Sequence, residues 1–111
     1  MSNDEPSNTS EWHRIADASE VVEGRALALD VGSVAIALYR LGEECFAIGD
    51  ICPHLEYVAL SDGYLEGTTI ECPMHQSCFD IRTGAVLSPP AEDNVASYPV
   101  RVRDGAVFVQ I

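Results

Sequence analysis

Apolar positions along this chain come in short runs broken by glycine-containing turns. Arg25 to Asp30, Val34 to Leu41 and Glu44 to Ile48 are rich in Val, Leu, Ile, Ala and aromatic side chains, and Val31-Gly32-Ser33 and Gly42-Glu43 separate them. Trp12 to Ala16 reads as a further short strand, followed by a turn or a single helical turn over Asp17 to Gly24. Near the other end, Ser97 to Arg103 and Ala106 to Ile111 flank Asp104-Gly105, a dipeptide favoured in tight hairpins. Val100, Val102, Val107 and Val109 would give that hairpin its core face. Pro99 has no N–H to donate, so its strand is expected to lie at an edge or to start there. No window sustains a helical period over three turns. Short strands spaced by glycine turns predict an all-β chain, a sandwich or a barrel.

The stretch from about residue 50 to residue 90 departs from this pattern. The N-terminal strands and the last hairpin are expected to form one sheet system, with 50–90 inserted as a subdomain. Within it, Ser61-Asp62-Gly63 and Glu66-Gly67 turn the chain so that Thr69 to Cys72 can run back. Phe79, Ile81 and Val86 read as plain core. Thr83-Gly84 makes a turn, and Ser88-Pro89-Pro90 a stiff loop.

The insert also carries the chemistry. Cys52-Pro53-His54 and Cys72-Pro73-Met74-His75 each offer one thiolate and one imidazole, and the 17 residues Leu55 to Glu71 lie between them. Soft sulfur with borderline nitrogen suits zinc or an iron–sulfur centre rather than calcium or magnesium. Two cysteines on one iron and two histidines on the other define the Rieske type of [2Fe–2S] cluster. A structural zinc domain can use the same four residues. Zinc fingers, however, usually separate cysteines from histidines, whereas each motif here mixes them. A proline follows each cysteine and removes an N–H beside the metal.

The two motifs, with Thr83-Gly84 and Pro89-Pro90 after them, resemble a Rieske domain. The run SDGYLEGTTIECPMHQSCFDIRTGAVLSPPA is similar to the ferredoxins of multicomponent ring-hydroxylating dioxygenases, the naphthalene dioxygenase type in particular. The resemblance extends more weakly from Trp12 to the end. It implies a Rieske fold, an antiparallel β-sandwich with an inserted cluster-binding subdomain, in a single domain over 11–111. It also implies one [2Fe–2S] cluster, with Cys52 and Cys72 on the buried iron and His54 and His75 on the outer iron. The family's proline loop, a lid near the cluster, falls on Pro89-Pro90. Respiratory Rieske proteins carry a disulfide between the two ligand loops; its positions fall here on Tyr57 and Met74, so it is absent. Their high-potential branch has a serine and a tyrosine donating to cluster sulfur, matched here by Ser77 and Phe79. The implied tuning role of Ser77 competes with a plainer one, capping a turn through its own backbone.

The implied function is electron transfer and not catalysis. His13 is the only histidine left beyond the motifs, too few for the mononuclear iron of an oxygenase. No G-x-G-x-x-G supports a reductase. What remains is a ferredoxin carrying single electrons from an NAD(P)H-dependent reductase to a Rieske non-haem iron aromatic-ring oxygenase, both bound transiently. The competing reading is a Rieske-like small subunit of another redox enzyme, such as nitrite reductase. Leu55, Pro89 and Pro90, rimmed by Glu56, are expected to form the contact patch.

Charge narrows the partners. A net charge of −12 and a pI near 4.3 over 111 residues argue against a nucleic-acid or anionic-membrane binder and suit either plain solubility or steering toward basic partner surfaces. Met1 to Ser10 is polar and reads as a disordered leader without a signal peptide. The longest apolar run, Val34 to Tyr39, is too short to span a bilayer. A monomer in the reducing cytoplasm is expected, with Cys45 and Cys78 as small buried hydrophobes and His13 at the surface.

Overall fold

The computed structural model describes residues 11–53, 55, 57–74 and 76–111. Its strands are β1 Trp12–Asp17, β2 Leu27–Val31, β3 Val34–Leu41, β4 Glu44–Gly49, β5 Tyr64–Glu66, β6 Thr69–Glu71, β7 Cys78–Asp80, β8 Val86–Ser88, β9 Ser97–Tyr98, β10 Val100–Arg103 and β11 Ala106–Gln110. They form three antiparallel sheets, ordered β1-β11-β10, β2-β3-β4-β9 and β5-β6-β7-β8. Among the described residues the helical segments are single 3-10 turns over Ala18–Glu20 and Leu60–Asp62.

The predicted single sheet system is therefore two sheets. Ser97 to Arg103 is not one strand: β9 pairs with β4, and β10 pairs with β11. Pro99 sits at the switch, where it has no N–H to spend on either ladder and its carbonyl accepts from Gln110 N. The last hairpin closes as expected, with Asp104 and Gly105 both at positive φ, as a tight type I′ turn requires. Its core face is only partly as expected. Val107 and Val109 are buried, Val100 is half-buried, and Val102 remains 46% exposed. β10 is an edge strand, so the far end of its inner face is left uncovered.

β3 explains the longest apolar run. Ile36, Leu38, Ala47, Val107 and Val109 meet in one core, between the first two sheets. Ala37 and Tyr39, on the opposite face of β3, join Ile48 in a second core with Leu60, Ile70, Phe79 and Ile81. A strand covered on both faces needs apolar residues at every position, not at alternate ones. That second core is the floor of the third sheet, whose inward residues are Leu65, Ile70, Phe79 and Val86.

Close backbone contacts fix the third sheet's position. A Cβ on Gly63 would lie 1.9 Å from Glu71 O, and one on Gly84, at φ +80, would lie 2.1 Å from Val95 O. Only glycine fits either site.

Candidate metal centre

The two cysteine motifs sit on loops that leave the sheets toward the second core. The first loop begins where β4 ends. Asp50 N donates to Ala35 O at 3.0 Å, and Leu60 N donates to Asp50 O at 2.7 Å, so the two ends of the loop meet. Between them Ile51 bridges Ala59, and Cys52 N donates to Val58 O at 2.9 Å. The Asp50 side chain closes the loop further by accepting from Ser61 N and Ser61 Oγ, both at 2.7 Å. Asp50 is only 4% exposed. Burial pushes its carboxyl above the usual carboxylate range, the two Ser61 bonds oppose that, and Asp62 and Asp30 add to the rise. Tyr39 is pushed above its ordinary value as well, by burial first and by Asp50 second. Its hydroxyl is buried without a hydrogen-bond partner among the described residues.

The second loop joins β6 to β7. Cys72 N donates to Ser77 O at 2.8 Å, folding the loop back on itself. Ser77 is fully buried, and its Oγ accepts from Ala91 N at 2.8 Å. The hydroxyl thus accepts from a backbone fourteen residues away, which is a different role from the cap on its own turn that is one of its two expected readings. Ser88 Oγ donates to Gln76 O, also at 2.8 Å.

Cys52 and Cys72 are 0% and 1% exposed and share one core with Val58, Leu60, Ile70, Phe79 and Ala91. His54, His75 and Glu56 lie outside the described residues. The described half of the ligand set fits a soft metal: two thiols, not in disulfides, buried in one apolar core beneath two hydrogen-bonded loops.

Other expectations move. Cys45 and Cys78 are half-buried rather than buried. Cys45 packs against the other core, where burial pushes its thiol up and Arg40 opposes the rise. Cys78 lies in the β7 row that pairs with Glu71 and Ser88, and its Sγ donates to Gln76 O at 3.4 Å. His13 is half-buried. Leu55 packs partly against the core, while Tyr57 and Met74 stand 79% and 60% exposed, and Pro89 and Pro90 are exposed as well. Sequence reasoning missed Asp50 and Ser61. The available signal was a lone acid in the apolar stretch FAIGDIC, two residues before the first ligand.

Comparison with known proteins identifies the domain. Residues 11–99 match the model of the Rieske [2Fe-2S] domain. The chain belongs to the Rieske family. One Rieske-type [2Fe–2S] cluster is accordingly the cofactor of this Rieske domain. The domain is 41% identical to the anthranilate 1,2-dioxygenase ferredoxin subunit of Burkholderia cepacia, over 92% of this chain and 94% of that one. It is 37% identical to the naphthalene 1,2-dioxygenase ferredoxin component of Pseudomonas putida, over 93% and 98%. Among solved structures, the Sphingomonas yanoikuyae B1 ferredoxin superposes with a TM-score of 0.85 at 34% identity, covering 91% and 99%. A carbazole 1,9a-dioxygenase ferredoxin, solved in complex with its oxygenase, gives 0.82 at 34% over 89% and 92%. A nitrite reductase small subunit from Mycobacterium tuberculosis gives 0.80 at 22% over 92% and 96%, a likeness of fold alone. No helix among the described residues is long and apolar enough to cross a membrane.

Proposed function

We propose that this chain is the electron carrier of a ring-hydroxylating dioxygenase system, not a catalytic subunit. It takes single electrons from an NAD(P)H-dependent reductase and delivers them to a Rieske non-haem iron aromatic-ring oxygenase. Cys52 and Cys72 would hold one iron of the cluster, and His54 and His75 would hold the other. The observation that carries this reading is the burial of both cysteines in one apolar core under loops with exposed residues.

The bound cluster supplies the one-electron chemistry. The chain's residues do the rest. Val58, Leu60, Phe79 and Ala91 keep water from the sulfur ligands, which with local charge sets the potential. Tyr57, Met74, Pro89 and Pro90 offer an apolar contact patch, and the exposed Glu92 and Asp93 give it an acidic edge. Glu56 is assigned to the same rim. A small, partly polar patch suits partners that must separate after each electron. The carrier acts as a monomer in the cytoplasm, where reducing conditions keep cysteine ligands available.

Purified protein should show the visible absorption and EPR spectrum of a Rieske centre, with about two irons and two labile sulfides per chain. His75→Ala should lose the cluster and, because metal binding is coupled to folding, much of the stability. Stoichiometric zinc in iron-supplied, anaerobically prepared protein would overturn the assignment.

A further inference from the structure

The loop at 87–90 has an unusual fastening problem. Leu87 and Ser88 end β8, whose ladder to β7 pairs Ser88 with Cys78, but Pro89 and Pro90 beyond it are exposed and neither has an N–H with which to tie the chain down. Beyond that ladder, any fastening of the prolines must come from the residues on either side. That is where the side-chain bonds lie. At one end Ser88 Oγ donates to Gln76 O at 2.8 Å, and at the other Ala91 N donates to Ser77 Oγ at 2.8 Å. Both bonds land on the second ligand loop. The carbonyl of the same Ser77 accepts from Cys72 N at 2.8 Å. A continuous path therefore runs from the proline loop through one buried serine to the backbone of a metal-ligating cysteine. Ser77 is fully buried and Ala91 is 5% exposed, so water does not compete for their bond.

We propose that Ser77 and Ser88 are positioning residues that latch the 87–90 loop to the second ligand loop, so that the prolines and the Cys72 backbone move as one unit. A partner seated on the prolines then presses on the ligand loop itself instead of on a slack flap. The proposal rests on the reading of Pro89 and Pro90 as part of the contact patch. Its test needs no partner, so the two readings fail separately: loss of the latch appears in the isolated holoprotein, and loss of the patch only in partner association.

Residue-resolved amide hydrogen exchange is measured on cluster-loaded wild type, Ser77→Ala, Ser88→Ala and Ser88→Thr. In Ser77→Ala the Ala91 amide should exchange about tenfold faster, the worth of one buried hydrogen bond. The Cys72 amide should quicken too, although the substitution leaves its own acceptor, Ser77 O, in place. Ser88→Ala removes neither amide's acceptor and should speed both in the same direction, with a change in the visible circular dichroism of the cluster. Ser88→Thr keeps the hydroxyl and should match wild type. Loss of the cluster from Ser88→Ala but not from Ser88→Thr supports the latch equally, and Ser88→Ala carries the test if Ser77→Ala does not retain its cluster. Acceleration of Ala91 with Cys72 unchanged in both alanine variants would overturn the proposal. So would a Ser88→Thr protein as loose as Ser88→Ala.

Discussion

Asp50 is a buried carboxyl whose two oxygens are both committed to Ser61, and among the described residues the ion pairs are elsewhere, at Arg14–Asp17 and Arg82–Asp80. Its worth lies in closing the loop that carries Cys52. Asp50→Ala strands the Ser61 amide and hydroxyl and should cost about 1–2 kcal/mol, the lower part of the penalty for donors left without acceptors, since Ser61 is only half-buried. Ser61→Ala removes one of the two bonds and should cost about 1 kcal/mol. Urea unfolding of the holoprotein reads both, and iron content should fall further in Asp50→Ala. Identical midpoints for Asp50→Ala and wild type would show that the loop is held by its backbone bonds alone. Phe79, fully buried beside both cysteines, is a different kind of residue: it fills space, and its inward position on β7 follows from strand alternation.

The β7–β8 hairpin shows how an element acquires its own pH dependence. Asp80 N donates to Ala85 O, Gly84 N donates to Asp80 O, and the Asp80 carboxylate accepts from Arg82 N, Nε and Nη2 at 2.8, 3.1 and 2.9 Å. The Arg82 bonds hold the Asp80 carboxyl below the usual carboxylate range, against a smaller opposing effect of burial. A carboxyl depressed in the folded state stabilises fully above its unfolded value of about 3.9. That contribution is lost as pH falls through the lower folded value. The gap in urea midpoint between wild type and Asp80→Asn should be constant above about pH 5 and close toward about pH 2. Arg82 is half exposed, so the gap is small. A gap that ignores pH would mean that the turn is held by Gly84 and the backbone bonds, with the ion pair idle.

At the scale of the whole molecule the dominant fact is a net charge of −12. Its six cationic residues are all arginines, and Arg14, Arg101 and Arg103 lie on β1 and β10, with Arg101 stacked over Trp12 at 4.2 Å. Glu92 and Asp93, by contrast, are exposed and follow the exposed prolines after the buried Ala91. Association with a basic partner surface should then be steered by charge. Rim charges act mainly on the on-rate, over a Debye length of about 10 Å at 0.1 M salt. Added salt should slow reduction of this chain by the proposed reductase, and Glu92→Gln with Asp93→Asn should slow it modestly and flatten the salt dependence. Turnover at limiting ferredoxin that is insensitive to salt would leave the acidic surface a role in solubility only.

The sequence by itself determined what depends on near neighbours. Short apolar runs and glycine turns specified β strands, Asp104-Gly105 specified its hairpin, and two mixed Cys/His motifs specified a soft-metal chemistry that the family match bears out. Those features are written in spacing and turn geometry, which a single strand or loop carries with it. Tertiary structure decided which side of each strand is covered and by what. Pro99 divides a continuous β-rich run between two sheets because β4 and β11 lie on different sides of it. Val102 is left half in water because β10 is the edge strand of its sheet among the described residues, and Leu55 turns partly inward while Tyr57 and Met74 turn out. The loop fastenings are of the same kind. Asp50 finds Ser61 eleven residues on, and Ser77 finds Ala91 fourteen residues on. A hydroxyl or a carboxylate has many possible partners along an unfolded chain. Burial removes water from the competition and leaves only the donor or acceptor that the fold has brought within reach.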